Sequence, residues 1–277
     1  MTIYVGKKFK IIEQIGAGTF GKIYKAENRF TNEIVAIKLE KKTNNITLKN
    51  EARAYTFLKN LHCIPKIKSF GVDGKYNFLV IDLLDKSLFD LIKEKQKLRL
   101  DQVVKIGENL IKIIQEIHEA GIIHRDIKPE NFMFKNDELK IIDFGLSKKY
   151  IRNNKHIELE SNKSIVGTPY FISTHIHAGL TPSRRDDVES IGYILVYLLF
   201  GTLPWLNLVS ENKEVRNYKV YEIKKNDPFV IFKLAPKELK IFITYCRSLK
   251  FTEKPNYLYL INLLRMIIRT DYICSEK

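Results

Sequence analysis

His124-Arg125-Asp126-Ile127-Lys128-Pro129-Glu130-Asn131 is followed, twelve residues after Asn131, by Asp143-Phe144-Gly145. The two stretches bring a carboxylate, an ammonium, a carboxamide and a second carboxylate into one short span of chain. Each alone is an ordinary polar loop. Together they supply a proton acceptor, a fixed positive charge and two hard oxygen donors, which is chemistry in search of an anionic ligand.

Upstream, Ile15-Gly16-Ala17-Gly18-Thr19-Phe20-Gly21-Lys22-Ile23-Tyr24 sets Gly16, Gly18 and Gly21 in a G-x-G-x-x-G array between two strand-like runs. Glycines let a backbone approach phosphate oxygens without a Cβ in the way. The array opens a hairpin instead of a strand-to-helix turn, and no Gly-Lys-Ser/Thr follows it, which excludes a dinucleotide fold and a Walker loop. Ile34–Glu40 alternates, so Ile34, Ala36 and Lys38 share one strand face and Val35, Ile37 and Leu39 the other. A helix is expected over Thr47–Leu61, with Leu48, Tyr55 and Leu58 on one side and Glu51 completing the stripe. A carboxylate on an apolar face needs a partner. Lys38, a strand lysine facing the same way, is the natural one.

The chain has 277 residues, 47 Lys+Arg against 32 Asp+Glu and a net charge of +15, with 45% hydrophobic residues. Disordered and low-complexity classes are excluded by that apolar content. Basic pairs are scattered, with no stripe interleaved by aromatics, which weakens a nucleic-acid reading and favours solvent-facing lysines until a site says otherwise. Cys63, Cys246 and Cys274 suit a reducing, intracellular compartment, cytoplasmic or nuclear, and form no disulfide framework. The longest strongly apolar run, Ile191–Phe200, is too short for a bilayer, and no leader is visible. A soluble monomer without membrane association is expected.

From about 9 to 83 the pattern is strand-like with one helix. After Leu84 it turns helical, with expected helices over Asp101–Ala120 (stopped by Gly121), Asp186–Gly201, Pro236–Leu249 and Tyr257–Arg269, and a short strand in Glu138–Gly145 after the turn-like Asn136-Asp137. This is an α+β chain with a small β-rich lobe and a larger helical one. Clefts between such lobes are common ligand sites.

Gly-rich hairpin, Lys38, Glu51, the 124–131 loop and Asp143, in this order, make sense for phosphoryl transfer, which needs positioning and charge neutralisation above all. The order resembles the eukaryotic protein kinase family. The resemblance implies a bilobal kinase domain over 9–270, with an N-lobe at about 9–83, a hinge at about 82–86, a C-lobe at about 87–270 and a tail at 271–277. It implies ATP and Mg2+ as cofactors. Gly16, Gly18 and Gly21 would close over the phosphates with Ile15 beside them, and Lys38, held by Glu51, would orient them. Asp126 would align the substrate hydroxyl, Lys128 would stabilise the moving phosphoryl group, and Asn131 and Asp143 would hold the metal. By the same resemblance Ile23, Ala36 and Met133 flank adenine, Ile81 is the gatekeeper, Leu84 offers hinge hydrogen bonds, and Asp187 anchors the catalytic loop's backbone. Lys128 after the Asp126 motif is similar to the serine/threonine subclass.

Four further stretches, Leu79–Leu91, Ile141–Tyr150, Ser183–Trp205 and Tyr245–Leu260, resemble the casein kinase I family, which implies acidic or phosphorylated protein substrates and activity without activation-loop phosphorylation. A vaccinia-related or tau-tubulin-type relative is the alternative, and a pseudokinase scaffold the remote one. Tyr170 stands where casein kinase I proteins carry an anion-holding arginine, leaving Lys163, Arg184, Arg185, Arg216 and Lys219 as basic candidates.

Overall fold

The computed structural model describes residues 3–18, 21–42, 47–210 and 212–275, with side-chain burial to residue 268. Strands β1 (Tyr4–Val5), β2 (Phe9–Gly18), β3 (Gly21–Asn28) and β4 (Ile34–Lys41) lead into helix α1 (Thr47–Phe57), then β5 (Ile67–Asp73) and β6 (Tyr76–Asp82). Next come α2 (Leu88–Lys95), α3 (Leu100–Glu119), β7 (Ile122–Ile123), β8 (Phe132–Lys135) and β9 (Glu138–Ile141). Three two-residue strands follow, β10 (Lys148–Lys149), β11 (Ile151–Arg152) and β12 (Lys155–His156). The rest is helical: α4 (Thr174–His177), α5 (Arg184–Phe200), α6 (Lys213–Lys224), α7 (Pro228–Ile231), α8 (Lys237–Ser248) and α9 (Tyr257–Ser275). The chain divides into two compact units, Met1–Lys86 with Phe132–Ser147, and Ser87–Asn131 with Lys148–Lys277.

The first unit is an antiparallel sheet in the order β1-β2-β3-β4-β6-β5. Alternation decides its faces. Val35 and Ile37 of β4 enter a core with Val5, Phe9, Ala26, Phe78 and Val80, and Leu39 packs against it. Each such side chain contributes about 1.5–3 kcal/mol of burial. Strand pleating therefore turns Ala36 and Lys38 to the other face. Glu40, buried, accepts the Leu48 N–H at 2.9 Å and so caps the start of α1. Leu48, Glu51 and Tyr55 of α1 are all buried, as is Leu58 just past its end.

The β8–β9 hairpin turns at Asn136 and Asp137, whose φ values of 50° and 65° are those of a type I′ turn. It joins the first unit because the Phe134 N–H donates to the Lys86 carbonyl (2.9 Å), the Asp85 N–H to the Phe134 carbonyl (2.8 Å) and the Ile141 N–H to the Cys63 carbonyl (2.8 Å). That unit is thus built from two separate stretches of chain.

In the second unit α5 is buried nearly all round, with Val188, Ile191, Ile194 and Leu195 fully enclosed. Helix α3 carries its expected stripe at Val103, Leu110, Ile113, Ile114 and Ile117; Ile106 is half-buried, while Val104 and Ile111 also go inside. Gly107 explains the wider contact: a Cβ there would meet Leu264 at 2.7 Å and Leu195 at 2.8 Å, so α3 needs glycine to lie against α5 and α9. Gly121 (φ +81°) follows the helix as expected.

Periodicity did not announce α4, α6 or α7. Helix α6 buries only Asn217, Val220 and Lys224, two of them polar, so it has no apolar stripe to read. Helix α9 continues to Ser275, beyond the expected end at Arg269. The Cys274 side chain and residues 276–277 lie outside the described residues; Cys63 and Cys246 are buried free thiols. Among the described residues no helix is long and apolar enough to cross a membrane.

Candidate active site

The candidate residues fall into two clusters, one in each unit. In the first, Lys38 on β4 donates from Nζ to Glu51 Oε2 of α1 at 2.7 Å and to Asp143 Oδ1 at 3.2 Å. Glu51 is 3% exposed, so the apolar stripe does carry a paired carboxylate. Burial pushes Glu51 up to about 7 although Lys38 pulls the other way. Burial also opposes the charge on Lys38, but Glu51 and Asp143 outweigh it and raise the ammonium above its ordinary value. Lys38 is held charged, with its nitrogen shared by two acceptors.

Asp143 adopts a left-handed backbone (φ 64°), uncommon outside glycine and tolerated best by Asp and Asn. Its neighbours hold that conformation. The Asp143 N–H donates to the Tyr55 hydroxyl at 3.3 Å, and the Tyr55 and Phe144 rings meet edge to face at 5.2 Å, both buried. The helix that carries Glu51 therefore also carries the residue that steadies Asp143.

Cross-strand register sets Ile23 opposite Lys38 and Ala36 opposite Ile81. Leu84 is buried, Ile23, Ile81 and Met133 are partly exposed, and Ile15 is exposed on β2. Of the three glycines, Gly21 has a packing reason: a Cβ would lie 2.2 Å from the Leu39 carbonyl oxygen. Gly16 would meet only the Ile23 side chain, at 3.6 Å, and Gly18 nothing within 4 Å. Gly18 therefore borders open space, as backbone approached by a ligand requires. Thr19 and Phe20, between Gly18 and Gly21, lie outside the described residues.

In the second unit Asp126, 6% exposed, is the hub. Lys128 Nζ donates to Asp126 Oδ2 at 2.7 Å and to the Thr168 hydroxyl at 3.2 Å, and that hydroxyl donates to Asp126 Oδ1 at 2.8 Å. Asn131 Nδ2 donates to the Asp126 carbonyl at 2.8 Å, which leaves the amide oxygen as the atom with which Asn131 can meet a cation. Asn131 and Asp143 belong to different units. Each offers an oxygen donor of the hard type that Mg2+ prefers, and neither offers sulfur or imidazole.

Asp187, at the start of α5 and 3% exposed, accepts the His124 N–H at 2.7 Å, the Arg125 N–H at 2.9 Å and His118 Nε2 at 3.0 Å. Burial works against its charge, but the hydrogen bond from His118 and then the His124 N–H hold its carboxyl below the ordinary value. The expected backbone contact to the 124–131 loop is present.

The sequence reading missed Thr168 as part of the Asp126 network, Tyr55 as a support of Asp143 and His118 as a partner of Asp187. Only Thr168 had a local signal, since it follows Gly167 and stands two residues before Tyr170, where an arginine was expected. The basic candidates near it are mostly occupied. Arg184 donates to the Tyr150 hydroxyl (3.2 Å) and to the Thr252 carbonyl, Arg185 to the Leu249 carbonyl (2.8 Å), and Lys163 pairs with Glu160. The Arg216 guanidinium lies 6.0 Å from the centre of the Tyr170 ring.

His177 gives a pH prediction. Its Nε2 lies 3.0 Å from the Pro169 carbonyl oxygen, which can only accept, so that nitrogen carries the proton. Burial, and then the Lys224 charge, push its pKa down to about 3. The unfolded chain takes up a proton near the ordinary value of 6.5 that the folded chain refuses, so stability falls as pH drops below 6.5 toward 3. His177→Phe is expected to flatten the loss between pH 6.5 and 5, read by urea unfolding at each pH; an unchanged slope would refute the assignment.

A family model of the protein kinase domain matches residues 9–264. The chain belongs to the protein kinase family, the ATP-dependent phosphotransferases that act on proteins with a divalent cation.

Proposed function

We propose that this chain is a serine/threonine kinase of casein kinase I type, transferring the ATP γ-phosphate to hydroxyls in acidic or phosphate-primed proteins. The observation that carries this reading is Lys128, whose ammonium lies 2.7 Å from Asp126 and 3.2 Å from the Thr168 hydroxyl. A lysine there neutralises charge beside the carboxylate that meets the substrate hydroxyl. Asp126 takes or orients the hydroxyl proton at its carboxylate, and Asn131 and Asp143 would each offer an oxygen to Mg2+. Bound Mg2+ supplies charge neutralisation on the phosphates. Lys38, kept charged between Glu51 and Asp143, orients the α and β phosphates. Gly16, Gly18 and Gly21 cover those phosphates with Ile15, while Ile23, Ala36, Ile81, Leu84 and Met133 form the adenine side. The +15 charge favours acidic substrates by steering.

A positional peptide library with radiolabelled ATP tests the reading. Transfer to serine and threonine in acidic or phosphoserine-containing peptides is expected. Transfer confined to tyrosine, or to basic peptides, would sink it. Because Tyr170 replaces the expected arginine, the gain from a phosphoserine upstream of the acceptor is expected to be smaller than the gain from several acidic residues.

A further inference from the structure

The residues after Thr168, Pro169-Tyr170-Phe171-Ile172, are held by their carbonyl oxygens from below. Lys224 Nζ, on the last turn of α6, donates to the Pro169 carbonyl at 3.0 Å and to the Ile172 carbonyl at 2.7 Å. Trp205 Nε1 donates to the Tyr170 carbonyl at 2.8 Å, and His177 Nε2 donates to the Pro169 carbonyl at 3.0 Å. Lys224 is 0% exposed, with its nitrogen 4.5 Å from the Tyr193 ring centre and 4.9 Å from that of Trp205. His177 in turn stacks on Tyr221 of α6 at 5.7 Å.

A fully enclosed lysine is costly, and an apolar residue of similar length would fill the same space more cheaply. Favourable interaction with the helix C-terminus explains a lysine in the last turn of α6, but not its complete burial against another segment. The two aromatic faces offset part of the cost, and the two carbonyls give the ammonium a purpose there. The segment they hold begins at Thr168, whose hydroxyl is one hydrogen bond from Asp126. A polypeptide presenting a hydroxyl to Asp126 must run over the backbone that leaves Thr168.

We propose that Lys224, with Trp205 and His177, is a positioning clamp that fixes the backbone of Pro169–Ile172 as the platform for the substrate residue next to the acceptor hydroxyl, and so sets affinity for protein substrates. This rests on the protein-kinase reading of Asp126 given above. Lys224 touches no reacting atom. Its removal leaves the Ile172 carbonyl without its side-chain donor and the Pro169 carbonyl with His177 alone, and lets the platform move, while the Lys38 cluster belongs to the other unit.

Lys224→Met, nearly volume-conserving, and Trp205→Phe, which loses the indole N–H together with part of the ring system, are the test variants. The expected result is a rise of about tenfold in peptide KM, the scale of one lost hydrogen bond, with KM for ATP unchanged. Hydrogen exchange, which needs no turnover, reads the clamp separately: faster exchange is expected at the Phe171 and Ile172 amides, which donate to the Thr168 carbonyl, and not across α5. Equal changes in both KM values, or a fall in kcat with peptide KM unmoved, would overturn the proposal, as would unchanged exchange at those two amides. A wild-type chain that phosphorylates no peptide overturns the kinase reading, and with it the substrate role of the platform. If Lys224→Met fails to fold, Trp205→Phe decides alone, because it removes the N–H to Tyr170 while keeping an aromatic ring, though a smaller one, in the same place.

Discussion

Asp126→Asn is expected to lower the rate of phosphoryl transfer by about 10²- to 10⁴-fold, the range supplied by a positioned proton acceptor. The substitution keeps the volume of a side chain that is almost wholly enclosed. It also keeps one carbonyl oxygen, which can still accept from either Lys128 or Thr168. What it removes is the second oxygen and the negative charge that both partners now share. An amide nitrogen at that place would face either the Lys128 ammonium or the Thr168 hydroxyl. Single-turnover transfer to an acidic peptide, with ATP binding measured in parallel, checks the result. Near-normal ATP affinity should accompany the loss. A variant retaining a tenth or more of wild-type transfer would show that Asp126 is not the hydroxyl-facing group.

Asp187→Ala is expected to destabilise the chain by about 3–5 kcal/mol, the cost of breaking a buried charged network by deleting one partner. Three donors converge on this carboxylate, two of them backbone N–H groups of the loop that carries Asp126. One belongs to Arg125, a non-glycine residue at φ 69°, whose conformation lasts only while its surroundings impose it. The same loop is pressed from the other side, where a Cβ on Gly167 would approach the Arg125 carbonyl oxygen to 2.5 Å. Loss of Asp187 therefore frees a strained turn carrying Asp126 two peptide units before Lys128. Against a typical total of about 5–15 kcal/mol, urea unfolding should show a greatly lowered midpoint. Asp187→Asn, which keeps one acceptor oxygen, should lose less. A cost below about 1 kcal/mol for the alanine variant would refute this account.

The pairing of Lys38 with Glu51 was legible because two different periods intersect there. A strand alternation aimed the lysine, and a helical stripe with one acidic member demanded a cation. The turn at Asn136-Asp137 was legible for a related reason, since few residues tolerate the left-handed backbone it needs. Other features left no such mark. Gly21 reads as a phosphate-loop glycine, yet the Leu39 carbonyl already excludes a side chain there. Arg184 and Arg185 read as candidate anion-holding cations, yet both are turned inward onto tyrosine and backbone oxygens. Helix α6 lacks an apolar stripe because what it buries is a lysine seeking carbonyls.

The scattered +15 charge, the glycine array and the 124–131 loop are properties of the chain itself. Covalent order and side-chain chemistry were enough to point to an α+β kinase, to the carboxylate proposed as its proton acceptor and to the oxygens proposed for a metal. Which cations remain available was decided only by tertiary structure. Lys38, Lys128 and Lys224 are the same residue type; local pattern marked the first two, and nothing local marked Lys224. Lys38 lies between two carboxylates, Lys128 between a carboxylate and a hydroxyl, and Lys224 between two carbonyls and two aromatic rings. The cost of burying a charge is met by whichever long-range partners the fold delivers, and those partners assign each lysine its work.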